Sequence, residues 1–355
     1  MESKMKKVVI IGGGFAGSQA ARELEKEFSV TLIDSKDYFE FTPAILRTIV
    51  EPEHIKKIQV RHHHYLPSSR IINGKVISVT KTEVGTAKEK IKFDYLIIAS
   101  GSSYHQPIKE QDIILADRAA ELKRYSQKLK GARTVLIIGG GLVGIELAAE
   151  IIGKYPGKGI TLVHSRERLI PRSHKTSQEY AHNFLRRRGV RIISGEKIVR
   201  SEKKVFFTDS GREIEAEIAF RCTGITPNSS FLPESWLNDK KQAKVNPYLQ
   251  LERNDRIFAA GDVNNIKEEK TAQGAEKQAN IVVRNIRRLE KGKELEKYAP
   301  GNRLMVISLG KHDGILTSGR WNYYGLIPGL LKTLIEKKEM IKKRKKIRQL
   351  IAFLD

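Results

Sequence analysis

Thr134-Val-Leu-Ile-Ile-Gly-Gly-Gly-Leu-Val-Gly-Ile-Glu-Leu-Ala-Ala-Glu150 is the stretch whose reading decides the fold. Its apolar run Val135–Ile138 predicts a buried strand, and Ile145, Leu147, Ala148 and Ile151 fall at helical spacing. Between them stands Gly139-x-Gly141-x-x-Gly144. Strand, glycine turn and helix in that order form a dinucleotide cradle. Gly139 allows the turn, Gly141 lets the backbone approach a pyrophosphate, and Gly144 lets helix and strand pack closely. The helix opens at Leu142 and Val143, whose end of the helix offers free N–H groups and partial positive charge to phosphates.

The pattern occurs twice. Val8-Val-Ile-Ile-Gly-Gly-Gly-Phe-Ala-Gly17 repeats the device with Gly12, Gly14 and Gly17, and its helix opens at Phe15 and Ala16. Two cradles imply two dinucleotides, most simply a bound FAD and a passing NAD(P)H. The strand Val30–Ile33 after the first cradle ends at Asp34-Ser35, where an acid can bond an adenosine ribose. The strand after the second, Gly159–Val163, ends instead at His164-Ser165-Arg166. No acid stands there, and Ser165 and Arg166 suit a 2′-phosphate, so NADPH is expected to be accepted, alongside NADH.

Composition bounds the rest. A chain of 355 residues, 40% hydrophobic, holds two to three domains, and alternating helix and strand patterns argue for an α/β protein. Cys222 is the single cysteine, which excludes both an intramolecular disulfide and a redox-active cysteine pair. It reads as a packed strand residue. Met1 runs almost directly into the first strand, and Glu2 stands where N-myristoylation requires glycine, so neither a signal peptide nor that lipid is expected. No apolar run approaches a membrane span. Lys and Arg number 65 against 41 Asp and Glu, a formal charge of +24 that favours anionic partners.

Further segments bear on the chemistry. Arg61-His-His-His-Tyr65 suggests a metal, but three adjacent histidines cannot all point one way, and a solvated loop or strand edge is expected. Asn73–Thr80 and Thr86–Phe93 read as a β meander, and Pro107–Gly131 as a linker and amphipathic helix. Tyr95–Ile98 leads into the small residues Ala99-Ser100-Gly101, and Ile218–Arg221 leads through Cys222 into Thr223-Gly224 in the same way. Arg256–Ala260 delivers Gly261-Asp262 to a turn. Near the C-terminus, Leu330, Leu331, Leu334 and Ile335 fall at helical spacing, followed by Lys337-Lys338 and Lys342-Lys-Arg-Lys-Lys346 among Met340, Ile341, Ile347, Leu350, Ile351 and Leu354. An apolar stripe beside a basic face predicts an interfacial helix on anionic lipid. Nucleic-acid binding is disfavoured, because the aromatic interleaving it needs is thin.

The order of parts resembles the two-dinucleotide-binding-domain flavoproteins. Within them, Phe41-Thr42-Pro43 and Thr271-Ala-Gln-x-Ala-x-x-Gln278 resemble the type II NADH dehydrogenases. Tyr155–Ser165, Cys222–Ser230, Tyr298-x-Pro-Gly and Ser308–Gly314 are similar to the ferroptosis-suppressor branch of the apoptosis-inducing-factor-like quinone reductases. The likeness spans essentially the whole chain, although Ala272-Gln273 differs from the animal enzymes and their lipidated N-terminus has no counterpart.

This resemblance implies an FAD domain in two parts, residues 1–106 and 227–297, interrupted by an NAD(P)H domain at 107–226. A C-terminal domain at 298–355 would serve the quinone, the membrane or dimerisation. It also implies that Ser35, Thr42, Pro43, Val76, Ala99, Ser100, Gly101, Gly261, Asp262, Thr271 and Ala272 join the first cradle around FAD, with Asp262 on the ribityl chain. Thr223, Gly224, His164, Ser165 and Arg166 would join the second around NAD(P)H. Glu146 is expected beside the nicotinamide–flavin contact, and Gln273 with Ala272 at a quinone pocket near residues 298–328. The expected activity is hydride transfer from NAD(P)H to flavin and two electrons on to a quinone. The alternative is a soluble reductase of a small electron-transfer protein such as a ferredoxin or rubredoxin, whose acidic surface would suit the basic chain.

Overall fold

A computed structural model describes residues 5–105, 107–109, 115–301, 304–319 and 321–351. Two parallel sheets dominate. In the first, the strands run in the order Ile257–Ala259, Tyr95–Ile98, Lys7–Ile11, Ser29–Asp34, Arg70–Asn73. In the second, the order is Arg191–Ser194, Gly159–His164, Thr134–Ile138, Ile218–Arg221. Each glycine-bearing strand is central: Ile10 pairs with Leu32 and Ile97, and Ile137 with Leu162 and Phe220. Covered on both faces, such strands read as unbroken apolar runs rather than alternating ones. Ile10, Leu32, Ile97, Ile137 and Leu162 are all fully buried.

The duplication extends beyond the cradles. Each sheet receives its next strand after a three-stranded antiparallel insertion: Val76–Val79, Glu83–Thr86 and Lys90–Lys92 in the first, Ile198–Glu202, Val205–Thr208 and Glu213–Glu215 in the second. The sequence shows the second insertion only as a hairpin, because Ile198–Glu202 is mostly exposed and carries no apolar alternation. The helix Phe15–Leu24 packs along Ala272–Glu290 on the first sheet. Ser102–Ser103 pairs antiparallel with Thr226–Pro227 and ties the two halves together. Arg118, on the helix Leu115–Gly131, is fully buried and donates to Glu121 and to the carbonyls of Pro107 and Ile108. Residues 110–114 of the expected linker lie outside the described residues.

The chain ends in an antiparallel sheet, Leu304–Ser308, Gly314–Ser318 and Trp321–Tyr324, and the helix Leu326–Ile351. Pro328 falls in that helix's first turn, where a missing N–H costs nothing. Much of the apolar stripe of this helix is left uncovered by the rest of the chain, as an interfacial helix requires. Leu330, Leu334 and Ile341 face solvent, whereas Glu336, Met340 and Lys343 are buried. Side chains of this helix beyond Arg344 lie outside the described residues. Among the described residues no helix is long and apolar enough to cross a membrane.

Candidate functional site

The first cradle is built from backbone constraints. Gly12 has φ +95°, and a Cβ there would sit 2.4 Å from the carbonyl oxygen of Ala99; a Cβ on Gly17 would meet the Gly12 oxygen at 1.8 Å. Side chains at either position would push the strand, turn and helix apart. Gly14 caps the helix without a side chain, no acid occupies the first turn, and a Cβ there would touch nothing within 4 Å. The N–H groups of Phe15, Ala16 and Gly17 therefore keep their partial positive charge with a clear approach, which fits a dinucleotide pyrophosphate. Phe15 packs edge-on against Phe39 and Phe41 beneath the turn.

Asp34 closes this cradle. One oxygen accepts the Gly13 N–H at 2.6 Å and lies 3.2 Å from His62 Nε2, and the other accepts the Lys36 N–H at 3.0 Å. Burial pushes its carboxyl up, but His62 and Lys36 outweigh burial and hold it below the usual carboxylate range. His62 corrects the expectation of a solvated triplet. His63 and His64 are exposed, but His62 is fully buried on a single helical turn, with Nδ1 2.7 Å from the Tyr65 hydroxyl. A Cβ on Gly13 would lie 2.3 Å from the His62 ring. The three-glycine pattern does not require Gly13, so this extra glycine is the signal from which a buried neighbour was legible.

At the same carboxyl end of the first sheet, the two strands on the other side of the glycine turn bring Ala99–Gly101 beside Gly261-Asp262. Asp262 accepts from Ser102 Oγ at 2.6 Å and Lys109 Nζ at 3.2 Å. Burial raises the Asp262 carboxyl, and Lys109 with Ser102 more than offsets this, holding it low. Nothing in the sequence pattern marks Lys109. Gln278 accepts from the Gly261 N–H and from Asn264, both at 2.7 Å, and so fastens the turn to the helix that follows. That helix starts at Ala272, capped by Thr271 Oγ1 on the Gly274 N–H at 3.1 Å. Ser35 and Thr42 are half-buried, Ser100 Oγ donates to the Asn228 carbonyl, and Val76 lies half-buried on the antiparallel insertion.

The second cradle repeats the first nearly atom for atom. Gly139 has φ +111° and Cβ space 2.4 Å from the Cys222 carbonyl oxygen; Gly144 would meet the Gly139 oxygen at 1.8 Å; Gly141 faces open space. Leu142 and Val143 open the helix, again with no acid in the first turn. His164 takes the place of Asp34, its Nδ1 accepting the Gly140 N–H at 3.2 Å. Its other ring nitrogen, Nε2, is buried and has no hydrogen-bond partner among the described residues. Burial lowers its pKa, aided by Arg166 and opposed by the nearby Arg168 backbone. An orphaned, neutral ring nitrogen at this strand end fits a ribose hydroxyl. Ser165, Arg166, Thr223 and Gly224 are exposed around it. Cys222 is buried and its thiol is pushed up to about 12 by desolvation, so it is unsuited to nucleophilic work.

Glu146, in the first turns of the second cradle's helix, reaches the C-terminal domain. One of its oxygens accepts both the Ser308 N–H and Lys332 Nζ at 2.8 Å. It walls a narrow cleft with Pro43, Ala44 and Lys332. Arg47, Thr333 and Glu336 line this cleft and also a neighbouring cavity of about 860 Å³, so the two adjoin. The cavity runs between the helix Ile45–Val50 with its following turns and the C-terminal helix, past Met340 and Ile341. Gln273 does not line it; that residue is exposed on the first turn of its helix, and the Tyr298 hydroxyl is bound by Glu268.

The description "Pyridine nucleotide-disulphide oxidoreductase" belongs to the family model that matches residues 6–279. Ferroptosis suppressor protein 1 of Xenopus laevis is 33% identical over 345 residues, covering 90% of this chain and 90% of that protein. The sulfide:quinone oxidoreductase of Aquifex aeolicus superposes with a TM-score of 0.82 at 22% identity, over 96% of this chain and 92% of its own. NDH2 of Plasmodium falciparum in complex with NADH gives 0.83 at 13% identity, over 97% and 98%. These two likenesses concern the fold.

Proposed function

Because this chain belongs to the pyridine nucleotide-disulphide oxidoreductase family, whose members bind FAD and use NAD(P)H, we propose that it is an FAD-dependent NAD(P)H:quinone oxidoreductase. The observation that carries the quinone is the 860 Å³ cavity beside the C-terminal helix, which adjoins the narrow cleft at Pro43 and Glu146 through Arg47, Thr333 and Glu336. Its volume, with Met340 and Ile341 among the charged side chains of its walls, suits a ring that carries both polar oxygens and an apolar tail. With the single cysteine buried, dithiol chemistry has no place in this reading.

FAD, when bound, accepts hydride and passes on electron pairs. The chain's own residues supply the rest. The first cradle holds the pyrophosphate, and Asp34 accepts from the ribose. Asp262, held low by Lys109, would accept from the ribityl chain, and the helix capped by Thr271 would offer its positive end to the reduced ring. The second cradle holds the donor, with His164 Nε2 on its ribose and Ser165 and Arg166 on a 2′-phosphate, so NADPH is used alongside NADH. Glu146, neutralised by Lys332, stands where donor and acceptor meet. The quinone is assigned to the cavity rather than to the surface beside Gln273. The division at residues 106, 226 and 297 belongs to the same reading.

The exposed apolar groups Trp321, Tyr323, Ile327, Leu330 and Leu334 lie next to Lys337, Lys338 and Lys342. This face seats the enzyme on an anionic, cytoplasmic-side membrane surface at the cavity mouth, and a homodimer through it is the competing occupant. The test is anaerobic: bleach the flavin band with NADPH, then add a soluble short-chain quinone. Rapid recovery supports the reading. Bleaching without recovery assigns a protein acceptor instead.

A further inference from the structure

His54 ends the 3₁₀ turn Pro52–His54, and its Nε2 lies 2.9 and 3.0 Å from the two carboxylate oxygens of Glu336 on the C-terminal helix. Both side chains are buried and both line the cavity, yet they come from segments 282 residues apart. Holding the helix in place does not call for such a pair. Apolar residues of similar volume commonly do that as well or better, because two buried charged groups lose their hydration. Met340, one turn further along, already packs in that way.

Most other ionisable groups of the cavity are committed. Arg47 pairs with Glu150, Lys311 with Glu51, and Arg344 donates to the carbonyls of Lys56 and Lys57. Lys57 and Lys337 add positive charge nearer the opening, and Lys332 holds Glu146 at the inner end. An arginine never gives up its proton, and a salt-bridged lysine holds it tightly. Histidine is the side chain that exchanges one near neutral pH. Among the described residues His54 is the one histidine lining this cavity, and its partner Glu336 also lines the adjoining cleft, one helical turn beyond Lys332.

We propose that His54 and Glu336 deliver the second proton of quinone reduction, an inference that rests on the quinone reading above. The balance is NAD(P)H + Q + H⁺ → NAD(P)⁺ + QH₂. The donor's hydride carries two electrons and one proton, so one further proton must cross the protein. The pair shares a proton between Nε2 and the carboxylate. Its transfer to a quinone oxygen breaks that N–H or O–H bond and forms the quinol O–H. Solvent at the Lys337 side of the cavity then reprotonates the pair.

The experiment compares two oxidants of the NADPH-reduced holoenzyme under anaerobic stopped flow: a soluble short-chain quinone, which needs protons, and ferricyanide, which does not. For Glu336→Gln and His54→Gln, the ratio of quinone-driven to ferricyanide-driven reoxidation is expected to fall by about tenfold or more, as for loss of a positioned proton donor. The pH dependence of the quinone step is expected to flatten, and added imidazole to restore part of the rate in His54→Gln. The double variant His54→Phe, Glu336→Leu keeps the packing and should show the same split. An unchanged ratio with an unchanged pH profile would overturn the proposal while leaving the quinone reading intact. Failure of the wild-type enzyme to be reoxidised by quinone, with ferricyanide still effective, would overturn both.

Discussion

The two cradles differ in one side chain where their backbones agree. Strand, turn and helix superpose in logic down to the same impossible Cβ distances, 2.4 and 1.8 Å in each. At the strand end, however, Asp34 in the first is clasped by the Gly13 N–H and His62, whereas His164 in the second has one nitrogen bonded and one orphaned. An ionised clamp held in place by its neighbours, with acceptor capacity left for a ribose, suits a dinucleotide that stays. A neutral ring with a spare nitrogen, flanked by exposed Ser165 and Arg166, suits one that comes and goes. The same fold element thus serves as a permanent socket and as a transient one, and the difference lies in second partners rather than in glycines.

The largest effect should come from the backbone. Gly17→Ala in the first cradle places a Cβ against the Gly12 oxygen, and we expect the purified protein to be colourless, with FAD affinity down by roughly 100-fold or more. The absorption spectrum after FAD addition checks this. Next, Asp34→Ala should weaken FAD retention by about ten- to 100-fold, the loss of a charge-assisted hydrogen bond, measured by equilibrium dialysis. Its pH signature follows from the depressed carboxyl. The stabilisation is complete above the ordinary aspartate value of 3.8 and is lost as pH falls through the lower native value. Acid titration of the holoenzyme should therefore release FAD at higher pH in a His62→Gln variant than in the wild type.

In the second cradle, His164→Asp converts the transient socket toward the first. The new carboxylate repels a 2′-phosphate, so the ratio of NADH to NADPH efficiency should rise by about tenfold. Steady-state kinetics with both donors decides it; no change would remove His164 from donor recognition. The smallest expected effect is in Arg166→Ala. This side chain is exposed, so the loss should be a few-fold, confined to NADPH and diminishing with salt.

What was legible in the sequence follows the range of the interactions. Gly12, Gly17, Gly139 and Gly144 answer to backbone atoms a few residues away or on the neighbouring strand, and the pattern declares them. The Asp262 partner Lys109 is 153 residues distant, and the partner of His62 is 28 residues away. Neither pairing leaves a mark in local spacing. The C-terminal helix shows the limit most clearly. Its apolar periodicity suggests a lipid-facing stripe, and Leu330 and Leu334 are indeed exposed, but nothing in it marks Glu336 and Lys343 as buried. Glu336 meets His54, and Lys343 donates to Ser18 at 2.8 Å with its ammonium 4.1 Å over the Phe39 ring. Specific partners brought in by the tertiary fold, not the hydrophobic pattern, decide which polar side chains of this helix are buried.

The division of labour between the cradles is tested most directly by adding NADPH anaerobically to a Gly144→Ala variant. This substitution closes the second socket against the Gly139 oxygen and leaves the first untouched. The account predicts a yellow protein whose flavin band persists after NADPH addition but bleaches with dithionite. Bleaching by NADPH at the wild-type rate would contradict it, since the donor would then be reaching the flavin without the second cradle.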